Sequence, residues 1–178
     1  MLVATMFGSK MLKLPDDKLI ITVVLIQLVA VIGAFTMSRL SGVFGNLRVL
    51  MGVVTFWIFI CLAAFYVAHQ SEAGVSVEYF FYGLAVCVGL VMGGIQALSR
   101  STYSKLMPVT HDTASYFSFY DVTEKFAIAI GVLIFGYIDE LLGMHNSVLS
   151  LIVFFGLGFI GLIITRRKEF QSDRAVVY

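Results

Sequence analysis

Three charged residues interrupt an otherwise apolar stretch in the second half of the chain, in the segment YFSFYDVTEKF. They are Asp121, Glu124 and Lys125. In a helix, Asp121 and Lys125 share a face, with the acid in the favourable N-terminal position. Charged groups within a membrane are costly unless they are paired or hydrated, so they usually face a bundle interior or a water-filled path. The segment predicts substrate or proton handling, and the alternative is an ion pair that extends to the lipid headgroups.

Two glutamines lie inside long apolar runs. Gln27 is near the centre of the run 19–37, and Gln96 is near the end of the run 79–98. Each side-chain amide has hydrogen-bonding positions that hydrocarbon cannot satisfy. We predict that the two glutamines either bind a polar solute in the same path or join neighbouring helices through a hydrogen bond. The sequence leaves both interpretations open.

Small residues recur at four-residue spacing in two of the apolar runs. Gly89, Gly93 and Ala97 form one stripe, and Ala127 and Gly131 form a shorter one. Such stripes allow two helix backbones to approach closely within a membrane. We therefore expect all five positions to lie at helix–helix contacts.

No catalytic or metal-binding motif accompanies these residues. The sequence contains no G-x-S-x-G, H-E-x-x-H or P-loop pattern, and its three histidines fall outside the apolar runs. Cys61 and Cys87 lie within apolar runs without a C-x-x-C spacing, as small core residues do. We expect no enzyme activity, no cofactor and no bound metal.

The composition indicates that a membrane protein positions these residues. Of the 178 residues, 60% are hydrophobic and 13% are charged, and the mean hydropathy is +0.96. A soluble domain is about half apolar and about a quarter charged, so this chain has too few polar groups to cover a soluble fold. The net charge of +1 is not that of a nucleic-acid-binding domain. We predict contact with the lipid bilayer and none with nucleic acid.

Apolar runs of about 20 residues, the length that crosses a bilayer as a helix, define the predicted elements. They predict an all-α membrane protein with five transmembrane helices, at 19–37, 49–68, 79–98, 119–138 and 147–165. The fourth helix is unusual because only residues 126–138 are free of charge. To reach the length of a span, it has to include the three charged residues described above.

Lysine and arginine are distributed unequally between the two sides of the predicted bundle. Eight of the 12 lie in the loops after the first and third spans and in the tail 166–178, among them Arg39 and Arg48. Three others precede the first span. Because cytoplasmic loops carry the excess of positive charge, we predict a multi-pass protein of a bacterial inner membrane with a cytoplasmic C-terminus.

The first eight residues are apolar but too short to cross a bilayer, and they lack the basic start of a signal peptide. We interpret residues 1–8 as the remnant of a preceding span, and the chain as the C-terminal part of a longer protein. The alternative is a complete five-span protein that serves as a scaffold or accessory subunit without transport activity.

The segment GGIQALSRSTYSKLMP resembles the link between the tenth and eleventh helices in the vacuole effluxer-like branch of the major facilitator superfamily. The matching positions are Gly93, Gly94, Gln96, Ala97, Ser99, Arg100, Ser101, Pro108 and Lys125. The segments GVLIFG and SVLSLIVFFGLG are similar to the last two helices of that branch. Gly42 and Val43 depart from the superfamily pattern, since an aspartate and a basic residue usually occupy these positions.

The resemblance implies a twelve-helix fold in two halves, of which this chain spans the end of helix seven to helix twelve. It also implies secondary active transport of a small solute, with amino acids suggested by the family, along a path between the halves. The missing N-terminal half-bundle would be a partner, and this chain alone would be inactive. The resemblance further implies that the residues of a cytoplasmic loop or gate are Ser99, Arg100 and Ser101, together with Arg39 and Arg48.

Overall fold

The computed structural model describes residues 6, 9, 15–72, 78–110 and 112–176, and this part of the chain is almost entirely helical. The helices are α1 (Asp16–Phe44), α2 (Asn46–Glu72), α3 (Glu78–Leu106), α4 (Thr113–Leu142) and α5 (Met144–Val176). No strand occurs within the described ranges. The prediction of an all-α membrane protein is confirmed. The predicted remnant at 1–8 lies outside the described residues, except for Met6.

Glycines in a left-handed backbone conformation separate two pairs of helices. Gly45 (φ 86°) stands between α1 and α2, and Gly143 (φ 83°) stands between α4 and α5. The N–H groups of these glycines donate to the carbonyls of Ser41 and Asp139, which closes the last turn of each preceding helix. The two helices of each pair are therefore joined by a single residue.

The longer connection between α3 and α4 ends at a side-chain cap. The carboxylate of Asp112 accepts a hydrogen bond of 3.2 Å from the backbone N–H of Ser115, which has no partner within the helix. The hydrogen bonds from Ser115 lower the pKa of Asp112 below its ordinary value. An ionised carboxylate at this position also complements the positive end of the helix dipole.

The most extensive contact of the fold joins α1 to α3. A Cβ added at Gly93 would collide with the backbone carbonyl of Ala30, and a Cβ added at Gly33 would collide with the carbonyl of Leu90. A Cβ at Gly89 would come within 2.7 Å of the carbonyl oxygen of Ile26. The two backbones are therefore in direct contact, which only glycine at these positions permits.

The other helices complete the bundle around α2, which packs against both α3 and α5, while α4 packs mainly against α5. The buried core has two clusters. One contains Val49, Leu50, Val53, Ile60, Val91 and Leu98, and the other contains Cys61, Phe81, Phe135 and Val148.

The outer surface is apolar, and large side chains such as Leu28, Phe80 and Leu133 are more than 60% exposed. Within the described part of the chain, four helical segments are long and apolar enough to cross a membrane, namely Asp16–Phe44, Asn46–Val67, Tyr79–Leu106 and Asn146–Lys168. An apolar surface of this extent indicates an integral membrane protein surrounded by lipid. Helix α4 has 30 residues, about 45 Å at 1.5 Å per residue, but charged residues interrupt its apolar stretch. The crossing of α4 and the span boundaries stay predictions.

Candidate functional site

A polar cleft of about 790 Å³ opens between α1, α3 and α4. The wall formed by α1 is apolar and comes from Ala30, Val31 and Ala34. The polar groups come from α3 and α4, and they include Gln96, Arg100, Ser101, Tyr120, Glu124 and Lys125. The structure thus brings seven of the predicted site residues together, since Gly93 and Ala97 also line the cleft, and it adds two aromatic residues that were not predicted, Phe117 and Tyr120.

Side-chain contacts of Arg100 and Tyr103 join α3 to α4 at this cleft, whereas the two helices have little close backbone contact. Glu124 and Lys125 lie on the α4 side of this opening, and Gln96 lies on the α3 side. Among the residues that the structure describes, Glu124 and Lys125 form no ion pair, and the amide of Gln96 forms no hydrogen bond. An acid, a base and an amide are therefore available to a polar solute in one cleft.

An ion pair joins α3 to α4 beside the cleft. The guanidinium of Arg100 donates to a carboxylate oxygen of Asp121 at 2.5 Å. The guanidinium carbon of Arg100 also lies 5.8 Å from the centre of the Tyr120 ring. The sequence suggested Lys125 as the partner of Asp121, but the structure pairs Asp121 with Arg100, because the two helices converge here and the arginine of α3 reaches across.

Aromatic residues accompany this ion pair. The ring of Tyr103 lies 5.9 Å from that of Phe117 and 4.9 Å from that of Tyr120, measured between centroids. The hydroxyl of Tyr103 donates to the backbone carbonyl of Tyr116 at 3.0 Å. The ends of α3 and α4 that carry the ion pair are thus also held by one edge-to-face and one tilted ring contact.

A second polar contact attaches α3 to the start of α2. The side-chain amide of Asn46 donates to the hydroxyl of Ser101 at 2.8 Å, and its oxygen accepts from the ammonium of Lys105 at 2.9 Å. Asn46 is buried, so both ends of a desolvated amide are satisfied. Sequence reasoning missed Asn46; its position directly after Gly45, at a helix start, is the signal that could have indicated it.

Several predicted site residues lie away from the cleft. Gln27 is exposed, whereas its neighbour Ile26 is buried and is one of the residues of α1 that face α3. Ser99 is half-buried on α3. Arg39 is exposed and lies over the ring of Phe35, with its guanidinium carbon 4.6 Å from the ring centre.

Arg48 is exposed at the start of α2, beside a separate, largely apolar cleft of about 440 Å³. It therefore does not join the polar residues between α3 and α4. Within the described chain, no group of three or more His, Cys, Asp and Glu residues could hold a metal ion.

The two predicted stripes of small residues differ in whether they contact another helix. Gly89 and Gly93 lie against α1, and both Gly93 and Ala97 also line the polar cleft. Ala127 is exposed, and a Cβ added at Gly131 would meet nothing within 4 Å. The shorter stripe contacts no other helix here because α4 packs on α5 through a different face. Gly33, which was not predicted, makes the reciprocal contact from α1.

Helix α4 packs on α5 through the face that carries Phe135, the buried residue of α4. Its backbone carbonyl accepts a hydrogen bond of 3.4 Å from the hydroxyl of Ser147 on α5. Both residues are almost fully buried. This contact lies close to the one-residue connection between the two helices and anchors them to each other.

Comparison with known proteins shows a family match over nearly the whole chain. Residues 1–173 match the family described as "Vacuole effluxer Atg22 like". The chain is 31% identical over 159 residues to the "Uncharacterized MFS-type transporter YxiO" of Bacillus subtilis. The matched region is 88% of this chain and 35% of that protein. It is 30% identical to "Autophagy-related protein 22" of Cryptococcus neoformans, covering 79% of this chain and 26% of that protein.

A further relative is "Autophagy-related protein 22-1" of Penicillium rubens, which is 28% identical over 147 residues. No solved structure matches the chain. The chain spans about a third or less of the length of these curated relatives. The resemblance carried by the segment from Gly93 to Pro108 is confirmed, and the chain belongs to the vacuole effluxer Atg22-like family of membrane transporters.

Proposed function

We propose that this chain forms one wall of the solute pathway in a secondary active transporter for a small polar solute, with amino acids as the first candidates. The polar cleft carries the proposal. It places an acid, a base and an amide, Glu124, Lys125 and Gln96, around one opening of about 790 Å³. Volumes of this size are typical of small-molecule sites. Charged groups that face such an opening in a membrane commonly mark a solute or ion path.

Lys125 is the proposed contact for an anionic group of the solute, or for a proton that is exchanged with it. The ammonium has no ion-pair partner in the described chain, so a bound carboxylate would supply the missing negative charge. Glu124 would contact a cationic group or carry the coupling proton, and Gln96 would orient the solute through hydrogen bonds. Gln27 is exposed away from the cleft, so its proposed role is helix association in the complete protein.

The Arg100–Asp121 ion pair is proposed as the gate at one end of the pathway. Arg100 lines the cleft, and its partner belongs to the opposite helix. Rupture of the pair would free the convergent ends of α3 and α4. Alternating access requires such contacts to form in one state and break in another.

We further propose that a second half-bundle, preceding this chain in a longer protein, supplies the facing wall. The open cleft and the apolar exposed faces of α1 and α4 support this arrangement. In this proposal the chain alone transports nothing. The bacterial inner membrane and a cytoplasmic C-terminus are proposed from the distribution of Lys and Arg, which would place the Arg100–Asp121 pair on the cytoplasmic side.

Substitution of Lys125 tests the proposal. In the longer protein, reconstituted in proteoliposomes with radiolabelled amino acids, Lys125→Ala should reduce transport to background. The loss should occur without a change in membrane abundance, because the cleft would lose its unpaired cation and no structural ion pair. Lys125→Arg should retain part of the activity.

Lys168→Ala is the matched control, because Lys168 is an exposed lysine of α5 outside the cleft, and its transport rate should equal that of the wild type. Wild-type rates in Lys125→Ala would refute the role of Lys125. If the longer protein itself moved no solute from the amino-acid panel, the result would favour a scaffold or a different solute class.

A further inference from the structure

A second cavity, of about 390 Å³, lies between the helices and is distinct in character from the polar cleft. All five helices contribute to its lining, which is almost entirely apolar. Cys61, Phe81 and Val148 of its wall belong to one of the buried core clusters. We refer to this space as the apolar cavity. An engineered apolar cavity of about 150 Å³ is already large enough to bind benzene, so the apolar cavity has room for a larger ligand.

The apolar cavity contains one polar group in an unusual state. Trp57 lines the cavity, and its indole Nε1–H is buried without an acceptor among the described residues. The ring of Trp57 is stacked on that of Phe155, with centroids 5.1 Å apart and an interplanar angle of 12°. A buried indole N–H normally finds an acceptor. An acceptor for the Trp57 N–H therefore has to come from outside the described residues.

We propose that the apolar cavity binds a small, uncharged and largely apolar molecule that carries one hydrogen-bond acceptor, which receives the Trp57 N–H. The lining excludes a charged ligand, because almost no polar group is present to replace its hydration. The unpaired donor selects for a carbonyl or ether over a plain hydrocarbon. This site is distinct from the polar cleft, although the two share Gln96, and its ligand is not the transported solute.

One residue connects the apolar cavity to the polar cleft. Gln96, a residue of α3, lines both spaces. A ligand in the apolar cavity would therefore contact the back of a residue that faces the cleft. This contact gives the ligand a physical route to influence the cleft, whether or not the protein transports an amino acid.

Binding can be measured with two probes that differ only in the acceptor. Wild-type protein in lipid nanodiscs is titrated with 4′-fluoroacetophenone and with 1-ethyl-4-fluorobenzene, and bound probe is followed by fluorine NMR. Each affinity is referred to the partition of the probe into empty nanodiscs. We expect saturable binding of both, with the ketone roughly five- to tenfold tighter, as one hydrogen bond to a buried donor provides.

Three variants separate the contributions of shape and hydrogen bonding. Trp57→Phe keeps an aromatic ring opposite Phe155 but removes the N–H, so it should bind both probes equally. Ala64→Leu places a larger side chain in the wall of the cavity and should abolish binding of both. Ala63→Leu is the matched control, because Ala63 is the preceding residue, is exposed and does not line the cavity; its affinities should equal those of the wild type.

Four results would overturn the proposal. They are the absence of saturable binding above empty nanodiscs, equal affinities of the two probes in wild type, a ketone preference that persists in Trp57→Phe, and unchanged binding in Ala64→Leu. A stoichiometric lipid found by mass spectrometry and displaced by neither probe would also overturn it, because the cavity would then hold an acyl chain.

Discussion

At the scale of single residues, the Arg100–Asp121 pair is better suited to a reversible contact than to holding the fold together. The two side chains are 57% and 50% exposed, and exposed ion pairs contribute only about 0.2–1 kcal/mol to stability in water. The core clusters bury far more surface. A contact of this kind can break and re-form without unfolding the helices that carry it.

Replacement of Arg100 should therefore affect transport more than stability. Arg100→Ala is expected to lower the transport rate severalfold in the longer protein, while the melting temperature shifts by no more than about 2–4 °C. The double variant Arg100→Asp/Asp121→Arg should recover part of the rate because it restores opposite charges. Transport assays and thermal unfolding of the same preparations provide the two readouts.

Arg166→Ala serves as the control for Arg100, since Arg166 is an exposed arginine of α5 remote from the cleft. An unchanged transport rate in Arg100→Ala would count against the gate. A large loss of thermal stability would instead assign the pair a structural role.

At the scale of the helices, the contact between α1 and α3 depends on bare backbone. Gly93→Ala should lower the free energy of unfolding by about 1–3 kcal/mol, the usual cost of an added methyl group in a packed interface. The added Cβ meets the rigid carbonyl of Ala30, so α1 would have to move away. Equilibrium unfolding in mixed micelles measures the change.

Gly83→Ala on the same helix is the matched control, because a Cβ there meets nothing within 4 Å. It should be neutral or slightly stabilising, since alanine favours helix over glycine. If both variants had the same stability, the close contact of α1 and α3 would not contribute to it.

The start of α4 should respond to pH through Asp112. The hydrogen bonds from Ser115 lower the pKa of this carboxyl below its ordinary value of 3.8. The stabilisation is thus fully present above pH 3.8 and is lost as the pH falls through the lowered pKa of the folded state. The first turn of α4 should loosen in this acidic range, and hydrogen exchange at the Ser115 amide, corrected for its intrinsic pH dependence, should reveal it.

Asp112→Asn separates the charge from the cap. Asparagine caps helices about as well as aspartate but does not titrate in this range, so the corrected exchange rate of the Ser115 amide in this variant should not change between about pH 5 and about pH 3, which lie on either side of the ordinary carboxyl pKa. Asp112→Ala should exchange faster at every pH. An equal response to acid in wild type and Asp112→Asn would show that another group is responsible.

At the scale of the whole molecule, the sequence predicts where the helices lie along the chain but not which helices pack against each other. Apolar runs long enough to cross a bilayer indicate α1, α2, α3 and α5, and charged residues inside an apolar run identify α4 as the helix with the unusual polar face. The same criterion selects Gln96, Glu124 and Lys125, because polar and charged side chains are costly inside a membrane and usually have a function there.

Long-range contacts could not be predicted from the sequence, for a physical reason. Helices that are apolar on every side carry little information about which face meets which partner. Local spacing favoured Lys125 as the partner of Asp121, yet the structure provides Arg100 from another helix. The contacts of Asn46 and the cavity beside Trp57 likewise arise from packing between distant segments.

The one-residue connection at Gly143 makes α4 and α5 a single mechanical unit. Their shared anchor at Phe135 and Ser147 lies close to that connection, so neither helix can be displaced far without the other. If α4 moved away from α3, α5 would therefore have to move with it. This movement would disrupt the stacking of Trp57 on Phe155. The same movement of α4 and α5 that widens the polar cleft would also deform the apolar cavity.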